Sequence, residues 1–191
     1  MCKISLQQIF AIIPTTVSQY LIFGLDILLS TLQTIPEAKI KWPGPDSFEM
    51  LSHFLPVQTS DDIDIENATF NGWLSEHFIS SVLVFSSQEV IIAARTNAPG
   101  SWHDSCVAQP IYQILHEKMP DVYYSISDTA YPRGTVEIEG HIHAPLKDEL
   151  LSYQQTAEWG MRAIQGSFGR LCIPLFCNDS NFRGNLLVIC L

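Results

Sequence analysis

The sequence predicts a mixed α/β domain behind an N-terminal helical region. Three observations predict it. Two β-branched runs flank Ser86-Ser87-Gln88 and read as a hairpin. Stretches with apolar residues three and four apart follow on either side of a short alternating run, giving hairpin, helix, strand, helix. The chain has 191 residues, 47 % hydrophobic and 16 % charged, enough for a domain with its own core and too apolar for a disordered tail or a coiled coil.

The elements follow in order. Residues 1–41 read as helical. A short helix over about 6–12 meets Pro14, which ends it. Thr15 or Thr16 is expected to cap the next helix through its hydroxyl. Val17, Tyr20, Leu21, Leu25, Leu28, Leu29 and Leu32 then line one apolar face, which Pro36 closes. Helix, break, helix has the form of a helix-turn-helix. No basic residue lies in the second helix, so a bundle packed on the main domain is the simpler reading. No charge falls between Ile4 and Leu25, yet Gln7, Gln8, Pro14, Thr15, Thr16, Ser18 and Gln19 interrupt the stretch and argue against a membrane span or signal peptide.

Residues 42–55 read as a connector, with turn chemistry at Trp42-Pro43-Gly44-Pro45 and a short helix over about 48–54. Residues 56–191 form the main domain. Its expected elements are a short extended piece at 56–59, hairpin strands at 77–85 and 89–96, and a helix at 101–118. A strand at 122–127 and helices at 147–165 and 181–191 complete it.

Charge and cysteines bound the function. Ten basic residues against twenty acidic give a net charge of −10, which excludes a strongly basic nucleic-acid binder. Five cysteines spread along the chain suit a reducing compartment better than a disulfide scaffold. The sequons at Asn67 and Asn178 matter only in a secreted protein.

Several residues could carry chemistry. Asp128 sits just past a strand, where α/β domains often place the carboxylate of a cleft. Glu158 lies mid-helix among apolar residues, where a carboxylate needs a partner or a metal such as Mg²⁺ or Mn²⁺. The plainer reading pairs it with Arg162 at i+4. Ser101, His103 and Asp104 are too close in sequence for a hydrolase triad; Ser101 as helix cap with Asp104 against the helix dipole is the expected arrangement. Asp61, Asp62, Asp64 and Glu66 alternate with isoleucines like a solvated strand edge, without EF-hand spacing. His141 and His143 with Cys172 and Cys177 could make a tetrahedral zinc set, but the spacings match no zinc module.

Together these motifs carry a resemblance. Asn71-Gly72-Trp73-Leu74, His77-Phe78-Ile79-Ser80, the run from Asn97 to Ser105, Asp128-Thr129-Ala130-Tyr131-Pro132-Arg133-Gly134 and the run from Leu151 to Arg162 stand in the order seen in Harbinger-type DDE superfamily endonucleases. The form is similar to the fungal, transposon-derived group. Gly166-Ser167-Phe168-Gly169-Arg170-Leu171 continues it, and 14–21 resembles the helical region that precedes the nuclease. The resemblance implies an RNase H-like fold, a mixed sheet flanked by helices. It implies chemistry by Asp, Asp and Glu on two divalent metals, DNA as partner and a nuclear location. By motif match Asp128 resembles the second Asp and Glu158 the Glu; His103 and Asp104 match a Gly-Ser-x-His-Asp element, read as positioning residues.

The departures shape the expectation. The family places its first Asp as Asp-Gly at a strand end shortly before Leu-Pro; here Leu55-Pro56 follows Glu49-Met50-Leu51-Ser52-His53-Phe54. The first strand is therefore expected to be missing together with its Asp, and the segment between Lys147 and Leu151 to be shortened. Residues 46–191 carry seven basic and eighteen acidic residues, the wrong sign for a DNA backbone. Three functions follow as expectations: a metal-binding but catalytically degenerate nuclease domain, an active nuclease in which Glu49, Asp61 or Asp62 substitutes for the lost ligand, or a non-enzymatic module that binds a protein through its N-terminal helices.

Overall fold

The strand expected to be missing stands at the centre of the sheet. In the computed structural model, which describes residues 8–42, 48–86, 88, 90–120, 123–127, 131, 141–143 and 148–191, strand β1 runs over Phe48–Pro56. It replaces both the absent strand and the short helix of the sequence reading. Side chains are described for these residues except 48, 49, 51, 52, 143 and 148–157.

After β1 come α2 (Ile63–Thr69), β2 (Phe70–Asn71), β3 (Glu76–Ser86) and β4 (Ile91–Pro99). Then follow α3 (Asp104–Val107), α4 (Gln109–Lys118), β5 (Ser125–Ser127), β6 (Ile142–His143), α5 (Asp148–Ser167) and α6 (Ser180–Cys190). Ahead of β1 lies α1, Pro14–Thr34. The strand order is β2-β3-β1-β5-β6, with β4 also on β3. β1 is antiparallel to β3, from Phe48↔Ser86 to Pro56↔Phe78, and parallel to β5, from Phe48↔Ser125 to Met50↔Ser127. A mixed sheet with helices against it is consistent with an RNase H-like fold.

β3 explains why the sheet is stable. From Ile79 to Ser86 every residue is buried, because alternate side chains enter two different cores. Val82 and Val84 join Met50, Ile92, Val107, Ile111 and Leu115 on the face covered by α3 and α4. Leu83 and Phe85 meet Met161 of α5 on the other face. Further along that face Leu55 and Ile79 pack with Leu186 and Leu187 of α6. α5 lies close: a Cβ on Gly160 would come within 2.6 Å of the Phe85 ring.

Local chemistry corrects three expected caps or edges. The acidic run at 61–66 is not a strand edge: Asp62 caps α2 by accepting from the Asp64 N–H at 2.9 Å. α1 begins with Ile13 at the cap position and Pro14 in its first turn, rather than with a threonine cap. The cap of α3 is His103, not Ser101. α1 packs against α6, and Val17 is its one buried residue. By length and composition α1 is also long and apolar enough to cross a membrane.

Candidate functional site

The family's first carboxylate would come from β1, so β1 and its neighbours are the place to look. The β1–β5 ladder ends at Met50↔Ser127. Asp128 follows Ser127 in the chain and lies outside the described residues. The next β1 position after Met50 is Leu51, whose antiparallel partner is Leu83. The strand has kept its backbone role and carries leucine there. Its lone acidic residue is Glu49, in register with Ile126. Asp61 and Asp62 belong elsewhere: they follow Val57 and Gln58, which pair with Leu175 beside α6.

Glu158 is an exposed residue of α5, and no ion pair joins it to Arg162, which is exposed as well. α5 continues along β1. Gly160 lies on Phe85, the register partner of Glu49, and Gln165 reaches His53 at 3.0 Å between the two Nε2 atoms. Burial pushes the His53 imidazole below its usual pKa, so its neutral form is favoured. Sequence reasoning passed over His53; its signal was a histidine amid the apolar residues just before Leu55-Pro56.

His103 and Asp104 open α3, which packs on the opposite face of the sheet from α5. The structure therefore does not bring them together with Glu158. The His103 Nδ1 lies 2.8 Å from the Ser105 hydroxyl and accepts the Ser105 N–H at 3.3 Å, an N-cap arrangement. Tyr112 lies nearby. Burial, with smaller contributions from Cys106 and Asp104, pushes its phenol far above the usual range.

The zinc set finds no support. Cys172 is exposed and Cys177 buried, the His143 side chain lies outside the described ones, and among the described residues no three His, Cys, Asp or Glu group together.

A residue that sequence reasoning missed holds the structure behind this face. Arg183 of α6 is buried. Its Nε donates to Asn97 Oδ1 at 2.6 Å, and its Nη1 donates to the carbonyls of Phe176 and Cys177 at 2.8 and 2.7 Å. Asn97 holds a left-handed φ of 61° and donates through Nδ2 to the Ser180 carbonyl and hydroxyl at 3.0 and 3.2 Å.

Two oxygen ligands such as Asp128 and Glu158 suit Mg²⁺ or Mn²⁺ by donor type. A two-metal centre needs a third carboxylate between them, and β1 offers leucine at the position beside the end of β5. Among the described residues no group of acidic side chains fits that centre.

A family model described as DDE superfamily endonuclease matches residues 52–190. No curated protein and no solved structure matches the chain.

Proposed function

Because the chain belongs to the DDE superfamily endonucleases, we propose that this transposase-derived domain has kept the fold and lost strand cleavage, with a residual site for one divalent ion at Asp128 and Glu158. The family typically uses a divalent metal. One observation supports the loss: β1 is present and pairs with β5, yet the β1 residue that follows the final Met50↔Ser127 pair is Leu51 and not an acid. A hydrophobic side chain cannot bridge two cations. With the net charge of −10, the chain is also poorly suited to grip a phosphate backbone. DNA as an ancestral substrate and a nuclear location belong to the same reading.

The test combines melting and cleavage. Mn²⁺ is expected to raise the Tm of the wild type and not of Asp128→Ala/Glu158→Ala. Neither protein is expected to nick supercoiled plasmid with Mg²⁺ or Mn²⁺. Nicking by the wild type that Asp128→Ala abolishes would overturn the loss. Leu51→Asp, which returns a carboxylate to β1, is the gain-of-function arm.

Two specific observations favour other readings. Glu49 is the acidic residue of β1 and stands in register with Ile126 of β5, so it is the candidate substitute ligand; Glu49→Gln would then abolish any nicking observed. The apolar residues Tyr20, Phe23, Ile27 and Leu28 of α1 are exposed, which favours a protein-binding module. Its contact with α6 suits a partner better than a bilayer. Light scattering on the wild type and on Phe23→Ser/Ile27→Ser tests that reading.

A further inference from the structure

Away from both regions, the turn joining β2 to β3 holds up Trp73, which is 94 % exposed. The turn is fixed. Asn71 Oδ1 accepts from the N–H groups of Trp73 and Leu74 at 3.0 and 3.1 Å, and the Ser75 N–H donates to the Asn71 carbonyl at 2.8 Å. The same asparagine ties this turn to a second one: its Nδ2 donates to the Gly100 carbonyl at 2.9 Å. Beside it the Ser101 N–H donates to the Ala68 carbonyl at 3.1 Å. Gly100 has no room for a side chain, since a Cβ would run into the Phe78 carbonyl and come within 2.7 Å of that of Thr69. The second turn displays Trp102, 47 % exposed, and β2 adds Phe70, 44 % exposed. Trp73, held on rigid backbone and left in water, contributes almost nothing to the core. Tryptophans presented this way have the composition of a binding hot spot.

Charge identifies the occupant. No lysine or arginine occurs between Lys41 and Arg95. Asp61, Asp62 and Asp64 at the start of α2, and Glu76 at the end of the Trp73 turn, are all exposed. α2 leads directly into β2 and is one short helix, roughly 10 Å, long. A guanidinium stacks on an indole face and is drawn by such carboxylates. Single-stranded DNA also stacks on indoles, but residues 42–94 offer its phosphates no lysine or arginine. We propose that this surface binds an extended, arginine-bearing segment of a protein partner, with Trp73 and Trp102 taking the guanidinium groups and the carboxylates of Asp61, Asp62, Asp64 and Glu76 balancing their charge. The inference does not depend on the metal site.

The experiment is a titration of the full chain, by tryptophan fluorescence and calorimetry, with a synthetic dodecapeptide alternating arginine and glycine. Oligothymidylate is titrated in parallel. The peptide is expected to bind with micromolar Kd. Trp73→Ala should weaken it about tenfold and Trp102→Ala several-fold. Asp62→Asn/Asp64→Asn, which keeps a competent cap at position 62, should weaken binding and flatten its salt dependence. Trp159→Ala, on α5, should leave the Kd unchanged. Unshifted melting curves of the variants would show that binding, and not folding, was lost. Three results would each overturn the proposal: no peptide binding, peptide binding indifferent to both tryptophans, or oligothymidylate bound through Trp73 in place of the peptide.

Discussion

α1 and α6 are both apolar helices, and they pack against each other, yet they end in opposite conditions. α6 buries Arg183, Leu186, Leu187 and Cys190; α1 buries Val17 alone. Hydrophobicity does not separate them. What separates them is where polar groups tie each helix down. α6 starts at Asp179, whose carboxylate accepts the Phe182 N–H at 2.9 Å, and Arg183 then stitches it to Asn97 and two carbonyls. α1 has no side-chain cap, and its hydroxyls turn inward: Ser18, Ser30 and Thr31 bond the carbonyls four residues back. The helix matched by the family packs on β4; the helix outside the match packs on that helix.

The comparison can be broken most forcefully at Arg183. Arg183→Ala leaves Asn97 and two carbonyls without their donor and should cost about 3–4 kcal/mol in urea unfolding. Leu187→Ala, in the core under α6, should cost about 3 kcal/mol by the same measurement. Asp179→Ala removes the α6 cap and should cost about 1 kcal/mol. A pH effect comes next. Burial holds the His53 pKa below the usual 6.5, so the unfolded chain takes up that proton first on acidification. Stability should therefore fall as pH drops below that value, and His53→Gln should remove this part of the slope in melts across pH. Smallest is Phe23→Ala on α1, expected to stay within about 0.5 kcal/mol of wild type. A loss there as large as at Leu187 would mean that α1 is as integral as α6.

Much of the fold was legible where local pattern and long-range partner agree. The β3–β4 hairpin, α5 and α6 read correctly because their periods match their final neighbours. β1 did not. Glu49, Ser52 and His53 interrupt its apolar run, and its strand state comes from pairing with β3 and β5, which no local window contains. α2 was misread because alternating Asp and Ile mimics a strand, while the helix depends on the Asp62 cap. At the candidate site, the lack of Asp-Gly before Leu55-Pro56 could be read from the sequence, whereas the presence of the strand and the place of Leu51 next to the Met50↔Ser127 pair could not. Arg183 and Asn97 gave no sign in sequence, because their bond spans 86 positions.

β1 has a further consequence, in time rather than in space. Its parallel partner β5 lies about 75 residues downstream. The β3–β4 hairpin can close early, since its turn is short, but the β1–β5 edge must wait for a long loop to find it. Until then β1 exposes a bare row of N–H and C=O groups, the template on which chains add to one another. Refolding from urea should therefore be slow and sensitive to protein concentration, with the amides of β1 that face β5 protected last in pulsed hydrogen exchange.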